Sequence, residues 1–273
     1  MATKQSANMT IMKRAAEAAA RSLIRDFNET EQLQVSQKGP ADFVSAADKR
    51  AEKIIREELS KTRPQFGLLL EEGGEIPGKQ ANTRFIVDPL DGTTNFLHGI
   101  PHWAISIALE EDDEIVAALV HDPVKDEMFT AEKGGGAFMQ RRRLRVSARR
   151  ELKSAVVAGG DSIQMREKQE RYMQQLNTVV NNVAGFRRMG SAALDLCYVA
   201  AGRFEAFWEY NLNPWDVAAG QLIIREAGGF VRDIENNAAN PVYGESVLAS
   251  NAALHKPLLQ LLSPKQDDNA RRA

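Results

Sequence analysis

The chain has 273 residues, 43% hydrophobic and 26% charged, and its 35 basic and 37 acidic side chains leave a formal net charge of −2. That excludes disorder over most of its length and describes a globular, enzyme-sized chain able to bury a core. No apolar run approaches the roughly 20 residues of a membrane helix, and Met1 to Met9 lacks the apolar core of a secretory signal. A cytoplasmic protein without a membrane partner is expected. The lone Cys197 cannot close an internal disulfide or build a thiolate metal site, so any metal must be held by oxygen. The near-neutral balance argues against nucleic acid as an obligatory partner.

Ile11, Ala15, Ala16, Ala19, Leu23 and Phe27 recur at helical spacing after Thr10, which is placed to cap the helix. A second helix is predicted over Ala46 to Ser60, with Ala47, Ile54, Ile55 and Leu59 inward and Pro64 beyond its end. Short apolar or alternating runs follow at Phe66 to Leu70, Thr83 to Val87, Trp103 to Leu109, Glu114 to Val120 and Glu127 to Glu132. They read as strands of one mainly antiparallel sheet, followed by a hairpin through Gly134, Gly135 and Gly136 into Ala137 to Val146.

The second half alternates. Strands are predicted at Ala155 to Ala158, Phe186 to Met189, Phe204 to Glu209 and Ser246 to Ser250. Helices are predicted at Gln164 to Asn181, Ser191 to Ala201, Pro214 to Ala227 with Gly228 at its end, and Leu254 to Leu262. The polar tail Ser263 to Ala273 reads as frayed. Layered sheets and helices packed as one α+β catalytic unit are expected, with any boundary between two lobes near Glu151.

The most informative stretch is Ile86-Val87-Asp88-Pro89-Leu90-Asp91-Gly92-Thr93-Thr94-Asn95, an apolar strand ending in two carboxylates three positions apart. Proline at the second position of a turn brings the first and fourth residues within about 7 Å. Asp88 and Asp91 can then face one site, where their repulsion invites protons or hard cations such as Mg²⁺, Ca²⁺ or Mn²⁺. The Leu90 carbonyl lies between them, and Gly92 opens a helix start whose amides attract anions. A plain Asp-Pro turn capped by Asp91 or Thr93 satisfies the same letters. Glu71 follows the apolar run Leu68-Leu69-Leu70, and Asp216 follows Pro214-Trp215 at a helix start, where an aspartate is ordinarily a cap. Taken together, the four acids resemble a metal cage.

Three ordered motifs carry a family resemblance: Asp42-Phe43-Val44-Ser45-Ala46-Ala47-Asp48; Asp88-Pro89-Leu90-Asp91-Gly92-Thr93-Thr94-Asn95-Phe96; and Trp215-Asp216-Val217-Ala218-Ala219-Gly220 with Glu226-Ala227-Gly228-Gly229 behind it. In these the chain resembles the inositol monophosphatases of the bacterial extragenic-suppressor type, over roughly residues 9 to 262. The resemblance implies an αβαβα sandwich with lobes of about residues 9–150 and 151–262. It implies that Glu71, Asp88 and the Leu90 carbonyl hold one Mg²⁺ and that Asp88, Asp91 and Asp216 hold a second, with Glu71 serving a weaker third. Thr93 and Asp48 would orient the attacking water, with Glu71 among the catalytic groups. The amides of Gly92 and Thr93 would grip the phosphate. Asp91, Gly190, Ser191, Ala192, Glu209 and Asp216 would receive the substrate. Lithium sensitivity, inhibition by excess Mg²⁺ and a homodimer are implied likewise. One departure is Leu70, where relatives often carry Gly or Thr before Glu-Glu, and the loop from Gly159 to Met165 matches poorly.

The predicted activity is hydrolysis of a phosphomonoester, inositol 1-phosphate or a similar polyol phosphate. Glu209 beside Ser191 and Ala192 suits ring hydroxyls. Phosphatases of 3′-phosphoadenosine 5′-phosphate, fructose 1,6-bisphosphate, NADP or histidinol phosphate would use the same cage. His98, His102, His121 and His255 show no nucleophilic triad order, and Cys197 reads as core. Arg141, Arg142, Arg143, Arg145, Arg149 and Arg150 put six arginines in ten residues, which reads as a solvated hairpin because no aromatic is interleaved. The rival reading is a binding role: the resemblance allows a partner in the transcription machinery for ribosomal RNA.

Overall fold

The computed structural model describes residues 6–29, 35–39, 42–160, 169–236 and 238–262. In chain order the elements are α1 (Ala7–Phe27), β1 (Val35–Gly39), β2 (Asp42–Ser45), α2 (Ala46–Thr62), β3 (Gly67–Leu70), β4 (Gly74–Ile76), β5 (Thr83–Asp91) and α3 (Thr93–Leu97). Next come β6 (Ala104–Glu111), β7 (Glu114–Asp122), β8 (Glu127–Glu132), β9 (Gly136–Met139) and β10 (Arg142–Arg143). The second half holds β11 (Val156–Gly159), α4 (Gln169–Val180), β12 (Gly185–Arg187), α5 (Ala192–Ala200), β13 (Ala206–Tyr210), α6 (Pro214–Glu226), β14 (Phe230–Arg232), β15 (Ser246–Ser250) and α7 (Ala252–Leu262).

Strands β10-β9-β8-β7-β6-β5-β3-β4 form one eight-stranded sheet, and β12-β11-β13-β15-β14 a five-stranded one. The first is antiparallel except where β3 runs parallel to β5. Period-two alternation assigns its faces. Phe85, Val87, Ile105, Ile107 and Leu109 pack with α1 and α2 on one side, through Ala15, Ala19, Leu23, Ala51, Ile55 and Leu59. Ile86, Ala104, Ala108 and Val120 face the other way, onto α5 and α6. Those two helices also cover Ala158, Phe207, Val247 and Ala249 of the five-stranded sheet. Its far face, with Ala206, Trp208 and Leu248, packs on Tyr172 and Val179 of α4 and Leu254, Leu258 and Leu262 of α7. The result is the expected five-layer αβαβα sandwich. No helix among the described residues is long and apolar enough to cross a membrane.

Several local expectations are corrected. The cap of α1 is Ser6, not Thr10, because the Ser6 hydroxyl accepts from the Met9 amide and starts the helix a turn earlier. β5 does not stop at Val87: it continues to Asp91 with an irregularity between Asp88 and Asp91. Residues 206–210 are strand, whereas Phe204 precedes it, and β12 ends at Arg187 rather than Met189. The hairpin β1–β2, the short β4 and β14 have no counterpart among the predicted elements. The start of the predicted helix at Gln164, most of the Gly159 to Met165 loop and the tail 263–273 lie outside the described residues. Leu70 is fully buried and pairs in register with Val87, so the departure before Glu71 is absorbed into the core.

Candidate active site

The irregularity in β5 is what turns two aspartates toward one point. In a regular strand, residues three apart face opposite sides. Asp88 lies opposite Ser106 and Asp91 opposite Ala104, so three steps along β5 match two along β6. The extra residue is a β-bulge that reverses the parity, and Pro89, lacking an N–H, is tolerated there. The Leu90 amide donates to Asp88 Oδ1 at 2.8 Å and closes the bulge.

Asp216 arrives from the helix layer. Asp88's cross-strand neighbour Ser106 donates its hydroxyl to the Trp215 carbonyl at 3.1 Å and draws the start of α6 onto the sheet. Carboxylate oxygens of Asp88, Asp91 and Asp216 lie within 4.8 Å of one another, the one such group found among the described residues. The N-cap of α6 is Asn213 rather than Asp216, which stands three residues on and completes the capping box by accepting the Asn213 amide at 2.7 Å. The bond to the helix start and membership of the acid cluster thus coexist in one carboxylate.

Glu71 sits in the turn after β3, its amide bonded to the Val87 carbonyl at 3.2 Å. It adjoins the cluster through Asp88, to which it is hydrogen-bonded. The turn is held from below by Glu52 of α2, whose carboxylate accepts the Glu72 amide at 2.8 Å. Asp88 is only 2% exposed and Asp91 9%. Burial, followed by the charges of Glu71, Asp91 and Asp216, pushes the Asp88 carboxyl well above the usual range. Burial raises Asp91 to about 6, against the opposing pull of its bonds from Ser191, Ala193 and Ala192. Burial and then the Asp91 charge raise Asp216 to about 8. Gathered carboxylates that resist ionising lack positive charge, and hard oxygen donors at this spacing fit divalent cations. The residues present therefore suit a hard metal ion.

Around this cluster the other expected residues assemble. Thr93 Oγ1 lies 3.0 Å from Asp48 Oδ1 and 3.1 Å from the Leu90 carbonyl, so its single proton serves one acceptor at a time. Gly92 has φ +94, and a Cβ there would stand 3.2 Å from the Gly190 carbonyl, so the two turns touch. Ser191 caps α5 and donates its hydroxyl to Asp91 Oδ2, which also accepts the Ala193 amide at 2.8 Å. Ala192 is buried, its amide likewise bonded to Asp91. Glu209, on β13, faces Gly160, and its charge contributes to the raised Asp216.

Ala193, Ser106 and Glu52 were missed by sequence reasoning. None carries a motif signal, but Ser106, opposite Asp88 in an otherwise apolar strand, was visible as an anomaly. His102 is buried, which lowers it to about 4 and leaves it neutral. Cys197 is core, its thiol pushed up by burial. Arg141, Arg142, Arg143, Arg145 and Arg150 are exposed, while Arg149 pairs with the buried Glu205 at 2.8 Å.

The family model described as "Inositol monophosphatase family" matches residues 4–267. An inositol-1-monophosphatase of Rhizobium meliloti (strain 1021) is 54% identical over 258 residues, covering 94% of this chain and 97% of that protein. The Nus factor SuhB of Escherichia coli (strain K12) is 39% identical over 264 residues, covering 97% and 98%. The crystal structure of extragenic suppressor protein suhB from Bartonella henselae matches with a TM-score of 0.92 and 53% identity, over 96% of this chain and 100% of that one. An acid cluster built from a strand bulge and a helix start, in a sandwich shared across these relatives, leaves one assignment: the chain belongs to the inositol monophosphatase family.

Proposed function

We propose that the protein is a Mg²⁺-dependent phosphomonoesterase that releases phosphate from inositol 1-phosphate or a closely similar polyol phosphate. The observation that carries this reading is the convergence of Asp88, Asp91 and Asp216 within 4.8 Å, all with raised carboxyl pKa values. Relatives named inositol-1-monophosphatase at 54% and 52% identity support the substrate class. The catalytic unit is taken as residues 9–262.

Asp88, Asp91 and Asp216 would hold one ion, and Glu71, Asp88 and the Leu90 carbonyl another, with Glu71 the natural donor for any third. When bound, such ions supply the positive charge that activates a water and offsets the developing charge on phosphate and leaving oxygen. Asp48 accepts the Thr93 hydroxyl proton, which leaves the Thr93 oxygen turned to accept from water and fix its line of attack. The amides of Gly92 and Thr93 face the phosphate oxygens. Gly190, Ser191, Ala192 and Glu209, with Asp91 and Asp216, border the alcohol side. Water adds to phosphorus, the ester oxygen leaves with one proton as the free alcohol, and phosphate retains the other.

The test is turnover on inositol 1-phosphate, fructose 1,6-bisphosphate and 3′-phosphoadenosine 5′-phosphate, each with Mg²⁺ and with chelator. Preference for the inositol ester, lost on chelation and restored by Mg²⁺, is expected; preference for the nucleotide would overturn the substrate assignment. Inhibition by Li⁺ and by excess Mg²⁺, a homodimer and a cytoplasmic location belong to the same reading.

A second reading is favoured by the relatives named Nus factor SuhB at 39–41% identity. We propose that the chain can also bind a transcription-machinery partner, with the exposed Arg141 to Arg150 edge as the candidate contact. Asp88→Asn should then abolish hydrolysis and spare partner binding, and replacing Arg141, Arg142 and Arg143 by glutamate should do the reverse. Partner binding unchanged by the arginine replacements would remove that edge from consideration.

A further inference from the structure

Asp91 is gripped by the start of α5, yet the same two segments are joined a second time where the hydrolytic chemistry needs nothing. The Asn95 side chain, on α3, is buried, 9% exposed. Its Nδ2 donates to the His102 carbonyl and to the Met189 carbonyl, each at 2.8 Å. An amide NH₂ carries two hydrogens, so both are used. Met189 is 94 positions along the chain and directly precedes Gly190, Ser191 and Ala192.

The packing around this amide leaves no slack. A Cβ on Gly190, whose φ is +86, would come within 3.1 Å of Asn95 Nδ2. One on Gly92 would stand 3.2 Å from both the Gly190 and His102 carbonyls. Three backbone segments thus meet with the Asn95 amide as their spacer. The opposite connection, from Ser191 and Ala193 to Asp91, ends on a member of the carboxylate cluster. The Asn95 connection ends on two main-chain carbonyls instead, so it ties backbone to backbone.

We propose that Asn95 is a positioning residue for the alcohol side of the site: its amide sets the distance between the turn at Gly92–Thr93 and the segment Gly190–Ala192. This rests on the hydrolytic reading above. The side chain is specific for the task. Aspartate, ionised, would turn oxygens on two carbonyls; glutamine would carry its donors one methylene too far; serine offers one donor on a shorter arm.

The experiment compares the full chain with Asn95→Ala and Asn95→Ser. It measures kcat and KM on inositol 1-phosphate and on p-nitrophenyl phosphate, whose flat leaving group makes few contacts, together with Mg²⁺ affinity by calorimetry and melting temperature. Asn95→Ala is expected to raise the ratio of the two KM values, inositol ester over aryl ester, about tenfold with Mg²⁺ affinity within about threefold of the parent. Asn95→Ser is expected to fall between, and it carries the test if the alanine variant does not fold. An unchanged KM ratio in a folded variant would overturn the proposal and leave a structural bond. Equal loss on both esters together with weakened Mg²⁺ binding would also overturn it, assigning Asn95 to the ion cage. Failure of the hydrolytic reading is separate: the parent chain would turn over neither ester, and the positioning role would fall with it.

Discussion

Asp88 is where the two expected ligand sets overlap, and it is the most deeply buried member of its cluster. Asp88→Asn is expected to lower kcat by about 10³-fold or more, since a few kcal/mol of lost charge stabilisation is enough. Without metal the same change should raise the melting temperature, because it deletes a buried carboxyl that resists ionising. Enzyme assays and calorimetric melts without metal read the two effects, which have opposite signs. The pH dependence follows from Asp91 at about 6 and Asp216 at about 8. Both lie above the unfolded value near 4, so their stabilising contribution in the metal-free fold is complete below about pH 4 and is lost as pH rises through 6 to 8. Metal-free protein should therefore melt lower at pH 8.5 than at pH 5.5. Mg²⁺ affinity should run the other way, falling as protons compete below pH 8, and titrations at several pH values would measure it. These acids, and the approach of Asp88 to Asp91 through a proline turn, were legible in the sequence. The parity reversal that unites two of them was not, because an aspartate-proline turn and a bulged strand share the same letters.

Helix α6 meets α5 at Gly220, where an added Cβ would lie 2.6 Å from the Leu196 Cβ and 2.5 Å from its Cδ1. The Leu196 Cβ is the root of its side chain, in a full core, and cannot swing away. Gly220→Ala should cost about 1–3 kcal/mol of overpacking, outweighing the ~1 kcal/mol gain in helix propensity, as chemical denaturation would show. Glu52 of α2 acts on the neighbouring turn, so Glu52→Ala should loosen Glu71 and weaken Mg²⁺ binding about 10–100-fold while leaving the Asp88, Asp91 and Asp216 group in place. Long amphipathic helices and alternating strands were readable from period alone. The short β4 and β14 escaped because three residues carry too little periodicity to separate strand from turn. The cap of α1 was misplaced because serine and threonine four apart both suit the role and only the backbone chooses.

At the scale of the whole chain, the cluster draws on the eight-stranded sheet for Asp88 and Asp91 and on the central helix layer for Asp216. The three carboxylates meet only where the sheet and the helix layer pack together. Saturating Mg²⁺ should thus stabilise the fold by about 2.7 kcal/mol at a hundredfold excess over the dissociation constant, read as a higher melting temperature with a single cooperative transition. The layer order was not written in composition or period, which specify faces but not which faces meet; the ordered motifs carried that information through family likeness. Asp216 adds a practical corollary. One carboxylate both fastens the Asn213 amide at the mouth of α6 and belongs to the acid cluster. A single backbone resonance, Asn213 N–H in a labelled sample, should therefore shift on magnesium titration and serve as a spectroscopic gauge of occupancy without substrate or turnover.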